Sequence, residues 1–350
     1  MARPQPRPPI VPLPVWQELL AAAMDFRAAK PWTWLEDQDV FALIDDDNHP
    51  WFPSVLGAAG QVFGLALYRN ETGLRFLLET VNTLGDSPQD AMYAQDALLL
   101  DWSTKGALSP EELTMLAALG HRPKPRERNA WPCYRSHSPG WFPWPLDEAE
   151  ARALTVGIRA TLACAELARA RPDFFAPCDQ NDTVFPTVSL TTALAGRLSP
   201  EQIEWRQWLL PPPYSPAAAV APDSWTELAA RALKPSLVLE FDIIHTMMPT
   251  SDGGRPYFPR LGLLVDGKTG FIYGMDLAGP ARDWADLVIS VWGKALSSLR
   301  ERPRTIAIRR PEWMEALRPL AEKLGVRLQL VEELPFIDEA RNSMMQHLGG

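Results

Sequence analysis

A chain of 350 residues with 46% hydrophobic side chains can bury two cores, because a single core usually stops growing near about 250 residues. Its formal charge of -9 and its lack of a Lys/Arg block disfavour electrostatically driven nucleic-acid binding, which needs clustered cations to release counterions. Three cysteines without a C-x-x-C pair argue against a thiolate zinc site, and no segment approaches roughly eighteen uninterrupted apolar residues, so the expectation is a soluble cytoplasmic protein without a membrane span.

In chain order, residues 1–13 are Pro-rich and read as a polyproline-like tail. From Pro14 the period becomes helical: Trp16, Leu19, Leu20, Ala23 and either Phe26 or Met24 share a stripe, and Pro31 ends it. "DVFALID", "PSVLG" and "QVFGLALY" read as three short strands, and a helix follows over 71–84 with Leu74, Leu77, Leu78 and Val81 on one face. "ALLLDWS" is a further strand. "SPEELTMLAALG" is a helix with Ser109 as N-cap, Glu112 at the capping-box position and Gly120 as its stop. A long helix spans about 147–171. Residues 14–171 thus predict an α+β domain with helices on a small antiparallel sheet.

Residues 172–222 read as an irregular, Pro-rich connection holding one strand around 203–210 and the tether "PPPYSPAAAVAP". A short helix, "DSWTELAARAL", opens the third part, 223–350. Strands follow over 237–243, 258–265 and 271–275. A helix then keeps Trp284, Leu287, Val288, Val291, Trp292, Ala295, Leu296 and Leu299 at i, i+3, i+4, i+7. "RTIAI", a helix from Pro311 to Gly325, "VRLQLV" and a last helix complete the order β-β-β-α-β-α-β-α. The stretches "HPWFPSVLG" and "RPYFPRLG" echo each other and predict edge-strand starts, where proline is tolerated.

The motifs "WQELLAAAMDF", "KPWTWLEDQDVFAL", "GLALYRNETGL" and "WPCYRSHSPGWFPW" resemble those of an uncharacterised bacterial family of cytoplasmic two-domain proteins. That resemblance implies an architecture and no activity. In topology alone, the C-terminal order is similar to the α/β ribonuclease H-like fold. Active members of that fold hold one or two divalent metals on carboxylates of the first strand, the end of the fourth strand and the last helix. Asp242 matches the first of these positions, and Asp338 or Glu339 the third. Arg309 and Arg310 stand where the second carboxylate belongs, and a guanidinium there repels a metal. Glu312 is a weak substitute.

Asp242 therefore has three readings: a structural residue bonded to Thr246, His245 or a backbone amide, part of a binding site with Arg309 and Arg310, or a metal ligand. Asp266 in "VDGKTG" and the run from Asp45 to His49 read as turns. Cys133 reads as a buried structural thiol, and the five histidines lack metal-ligand spacing. Trp141, Phe142 and Trp144 would form an apolar docking patch with Arg135 at its rim if exposed, and burial is the favoured reading. The expectation is a non-catalytic binding or interaction protein with a protein or small-molecule partner and no cofactor. Candidate contacts are Arg309, Arg310, His245, Trp141 and Trp144. The rival is an Mg²⁺- or Mn²⁺-dependent nuclease or phosphodiesterase using Asp242 with Glu339 or Asp338. A third idea is a Trp-lined cleft between the domains.

Overall fold

The computed structural model describes residues 8–82, 93–124, 126–171, 173–178, 183–211, 218–223, 225, 235–246 and 248–348. Most of the helix expected over 223–233 and the first seven residues of the expected tail lie outside them. The chain divides into two compact units, one of Met1–Pro139 with Pro143–Pro211 and one of Gly140–Phe142 with Pro212–Gly350. Among the described residues the architecture is α/β, with eight α-helices on two mixed sheets of seven and five strands. None of these helices is long and apolar enough to cross a membrane.

In the first unit, α1 (Leu13–Ala29) buries Val15, Leu19, Leu20, Ala22, Ala23 and Phe26, while Met24 faces solvent. Lys30 leaves the helix in the left-handed region at φ 55°, and Pro31 cannot continue it. Strands β1 (Ala42–Ile44), β2 (Pro50–Leu56) and β3 (Gly64–Arg69) form the expected meander, followed by α2 (Asn70–Asn82) and β4 (Ala97–Ser103). The capping box of Ser109 and Glu112 starts α3 (Pro110–Ala118), and Gly120 follows at φ 79°. Next come β5 (Trp131–His137) and α4 (Glu148–Arg169), the latter capped by Asp147.

The first sheet is neither small nor purely antiparallel. Its order is β5-β4-β3-β2-β1-β6-β7, with β6 (Val184–Ser189) lying parallel to β1 and β7 (Glu204–Gln207) at its edge. Residues read above as an irregular connection thus supply two strands and α5 (Leu190–Leu194). Pro186 obscures β6 in the sequence, yet it lies beyond the residues paired to β1 and meets only β7. Helices α1 and α4 cover one face over Leu43, Leu65, Leu67, Leu98 and Leu100. Leu74 and Leu77 of α2 cover the other, over Phe52, Ala66 and Tyr68. The expected edge role of the echoed Pro-aromatic stretches fails, since β2 runs between β1 and β3. Because β1 pairs only with Pro50 and Trp51, Pro53 has a strand neighbour on one side only.

The second unit runs β8 (Pro235–His245), β9 (Arg260–Asp266), β10 (Ile272–Ala278), α6 (Trp284–Ser298), β11 (Arg302–Ile308), α7 (Glu312–Leu324), β12 (Arg327–Leu330) and α8 (Pro335–Leu348). The sheet order is β10-β9-β8-β11-β12, with β9 antiparallel to β8 and β10, and with β8, β11 and β12 parallel. Strand alternation sorts β8: Leu239, Phe241 and Ile243 pack with α6 and α7, whereas Ile244 packs with Leu334, just before α8, and Ile337 within it. Glu240 and Asp242 share the α8 side.

Two glycines let α6 lie close to the sheet. A Cβ on Gly274 would sit 2.2 Å from the Val291 carbonyl oxygen, and one on Gly262 would sit 2.7 Å from Val291 Cγ2. Asp276, also on β10, accepts from Ser290 Oγ at 2.6 Å and Arg282 at 2.8 Å, and pairs with Lys294 Nζ at 2.9 Å. The same two cations lean over the open edge: Lys294 donates to the Met275 carbonyl at 3.1 Å and Arg282 to that of Leu277 at 3.4 Å.

Burial opposes the charge on Asp276, but the bonds from Ser290, Lys294 and Arg282 outweigh it and hold the carboxyl well below the usual range. Its contribution to stability is therefore full above the unfolded value of about 3.9 and is lost as pH falls through the depressed folded value. Asp276→Asn should cost about 1–3 kcal/mol at pH 7 in urea melts, with the deficit shrinking below about pH 4. Gly274→Ala, which must move helix backbone, should cost about 1–3 kcal/mol in the same assay at any pH.

Candidate functional site

The acidic residue that opens the question sits at the carboxyl half of β8, with its side chain only 1% exposed. Burial of a charge is tolerable only with bonded partners, and Asp242 has them. Its Oδ1 accepts the Ile243 amide at 2.8 Å, the backbone-amide role open to it from sequence. Its Oδ2 accepts Arg309 Nε at 2.9 Å and lies 2.8 Å from Arg309 Nη2. Arg309 follows β11 directly, so parallel pairing of β11 with β8 carries it alongside Asp242.

The third partner comes from the last helix. Arg309 Nη1 donates to Asp338 Oδ1 at 2.8 Å, making the guanidinium a bridge between first strand and final helix. Arg310 Nε lies 3.5 Å from Asp242 Oδ1, and Arg341 Nη2 lies 3.7 Å from Asp338 Oδ1. Burial works against the Arg309 charge, yet Asp242 and Asp338 outweigh it and push its pKa up. As an anion contact Arg309 is thus already engaged by two carboxylates of its own chain. Arg310 is half-buried beside the same acid.

Glu240 is the residue that sequence reading missed. It is two positions before Asp242 and hence on the same face of the strand, which was the available signal. Its Oε2 accepts the amides of Phe336 and Ile337, both at 3.0 Å, so a sheet carboxylate caps the first turn of α8. Burial pushes its carboxyl up from the ordinary value, against the two amides that favour the charged form. Asp338 adds to the rise and Arg309 opposes it.

The other candidates do not join this cluster. Glu339 is exposed, and Glu312 stands in the first turn of α7. His245 turns to the opposite face of the sheet and meets Trp284 edge-on at 6.2 Å. Arg260 lies over that same indole at 4.2 Å and donates to the Gly279 and Arg282 carbonyls, a cation–aromatic contact the sequence did not signal. Trp141 and Trp144 part company: Trp141 bridges to Tyr257 within the second unit, and Trp144 bridges to Ser136 within the first. Both indoles are half-buried, and Phe142 is exposed. Arg135 pairs with Glu112.

Asp266 and Asp45 shape turns. Asp266 Oδ1 accepts the Lys268 and Thr269 amides, and Asp45 Oδ1 those of Asp47 and His49. Burial pushes the Cys133 thiol up to about 11, which leaves it protonated and unreactive near neutrality. Among the described residues no group of three or more His, Cys, Asp or Glu side chains converges to hold a metal ion. Asp242 and Asp338 are bridged by a cation belonging to the chain.

No curated protein and no solved structure matches the chain. Residues 16–185 match a family described as Domain of unknown function (DUF7309), and residues 224–345 match one described as Domain of unknown function (DUF6930). The first match ends inside β6, short of the end of the first unit at Pro211. The chain is thus similar to two families of unknown function, one over each of two successive stretches.

Proposed function

We propose that the chain is a non-catalytic, cytoplasmic binding protein whose second unit is a ribonuclease H-like domain with its carboxylate site closed from within. Strand order supports the fold reading, as does the single antiparallel strand, β9, beside the first. Cys133 and Cys164, both buried free thiols, support a reducing compartment. The observation that carries the functional reading is the Arg309 guanidinium bonded to Asp242 and Asp338 together. A two-metal site needs carboxylate oxygens open to cations about 3.5–4 Å apart. Here those oxygens are filled by a positive group that a divalent ion would have to displace. The partner is a protein or a small molecule, in keeping with the formal charge of -9.

One observation favours the rival, a divalent-metal nuclease or phosphodiesterase centred on Asp242: two carboxylates from the first strand and the last helix do converge on one point. Calorimetric titration with Mn²⁺ and Mg²⁺, alongside Asp242→Asn and cleavage assays on single- and double-stranded substrates, separates the two. The expected result is no heat that depends on Asp242 and no metal-stimulated cleavage. Saturable Mn²⁺ binding abolished by Asp242→Asn, together with cleavage, would overturn the binding-protein reading.

Stability gives a second check. Arg309→Ala leaves Asp242 buried without its main counter-charge, while Arg310 remains 3.5 Å away. The cost in a urea melt should be about 3 kcal/mol, near the low end for uncovering a buried ion pair.

A further inference from the structure

The first unit contains a cavity of about 230 Å³, open to solvent on one side. It lies between the sheet and helices α4 and α5, walled by Leu43, Trp51, Leu67, Ala153, Val156 and Leu190, with Asp45 and Arg152 among its lining. Its position follows from topology. β1 and β6 are a parallel pair within the sheet, and the cavity opens where both end, at Asp45 after β1 and at Leu190 after β6. In open α/β sheets the carboxyl ends of parallel strands are where connections part and ligands settle.

The polar groups there are already organised. Asp45 Oδ2 accepts Trp51 Nε1 at 3.2 Å, which fixes the indole, and lies 3.6 Å from His49 Nδ1. Arg152 pairs with Glu148 at 2.8 Å, with its side chain 56% exposed. Almost all of the remaining wall is hydrocarbon or indole. A sugar, nucleotide or phosphate entering it would lose water without gaining partners.

We propose that this cavity binds a small apolar molecule, one aromatic ring or a branched aliphatic of similar size, with at most one polar group held at the Asp45 and Arg152 rim. Size decides the class: an apolar cavity of about 150 Å³ already accepts benzene. Drug-sized ligands occupy about 300 Å³ or more. The site is in the first unit and involves neither Arg309 nor Asp242, so it stands or falls separately from the reading of the second unit.

The test is titration of the full chain with benzyl alcohol and with indole, followed by calorimetry and saturation-transfer NMR. Binding to the wild type should saturate with Kd on the order of 1 mM or tighter. Ala153→Phe, which places a ring in the cavity, should weaken it at least tenfold. Far-UV circular dichroism and Tm check that the variant is folded, and Ala153→Leu serves as a milder filling variant should Phe not be accommodated. Failure of both probes to saturate the wild type, or undiminished binding in a folded filled variant, would overturn the proposal.

Discussion

The second unit depends on one guanidinium. Arg309 joins the first strand of the sheet to the last helix of the chain through two carboxylates, and Glu240 adds a cap to that helix from the same strand face. Desolvating such a set is costly, so its net contribution to stability is small beside the cost of breaking any one member. Its value is directional. Apolar contacts of Leu334 and of Ile337 in α8 with the sheet would tolerate sliding or rotation, whereas a bridge with fixed donors does not. The charges therefore select one docking of α8 among several that hydrocarbon alone would accept.

The two units use sheet chemistry differently. In the first, seven strands are sandwiched by apolar helix faces, and the polar network of Arg69 with Asp96, Glu150 and Ser136 ties strand ends to α4 at its N-terminus. In the second, buried charge lies within the sheet face itself. A cavity lined by hydrocarbon in one unit and a filled carboxylate site in the other are the corresponding outcomes. Where one sheet leaves space at its parallel strand ends, the other fills the equivalent end with its own arginine.

Much of this was legible locally. The Ser109–Glu112 capping box and the long apolar stripe of α6 specify helices from a few neighbouring residues, and both stand where the pattern puts them. The order of elements in the second unit follows from periodicity alone. What local pattern could not deliver was pairing. "WPCYRSH" carries a proline and the polar Ser136 on its buried face, and "VFPTVS" is interrupted by Pro186, so β5 and β6 were hidden. The insertion of β6 beside β1 is a contact far along the chain that no window contains. At the site, Asp242 was conspicuous as an acid in an apolar strand, and Arg309 was conspicuous at the end of the neighbouring strand. The capping role of Glu240 was not legible, because it depends on where a distant helix begins.

The open edge of the second sheet has a consequence for how the protein behaves when crowded. β10 carries Ile272, Met275 and Leu277 at 42%, 50% and 53% exposure, a strand that another chain could extend by hydrogen bonding. Lys294 and Arg282, both anchored by Asp276, occupy the Met275 and Leu277 carbonyls. A foreign strand's amides would compete with these two cations for the same carbonyls. The same three charged residues that tie β10 to α6 thus place charge along an exposed apolar edge, the kind of residue that blunts edge-to-edge pairing, and the two cations hang from a carboxylate on the opposite side of the strand from the apolar row.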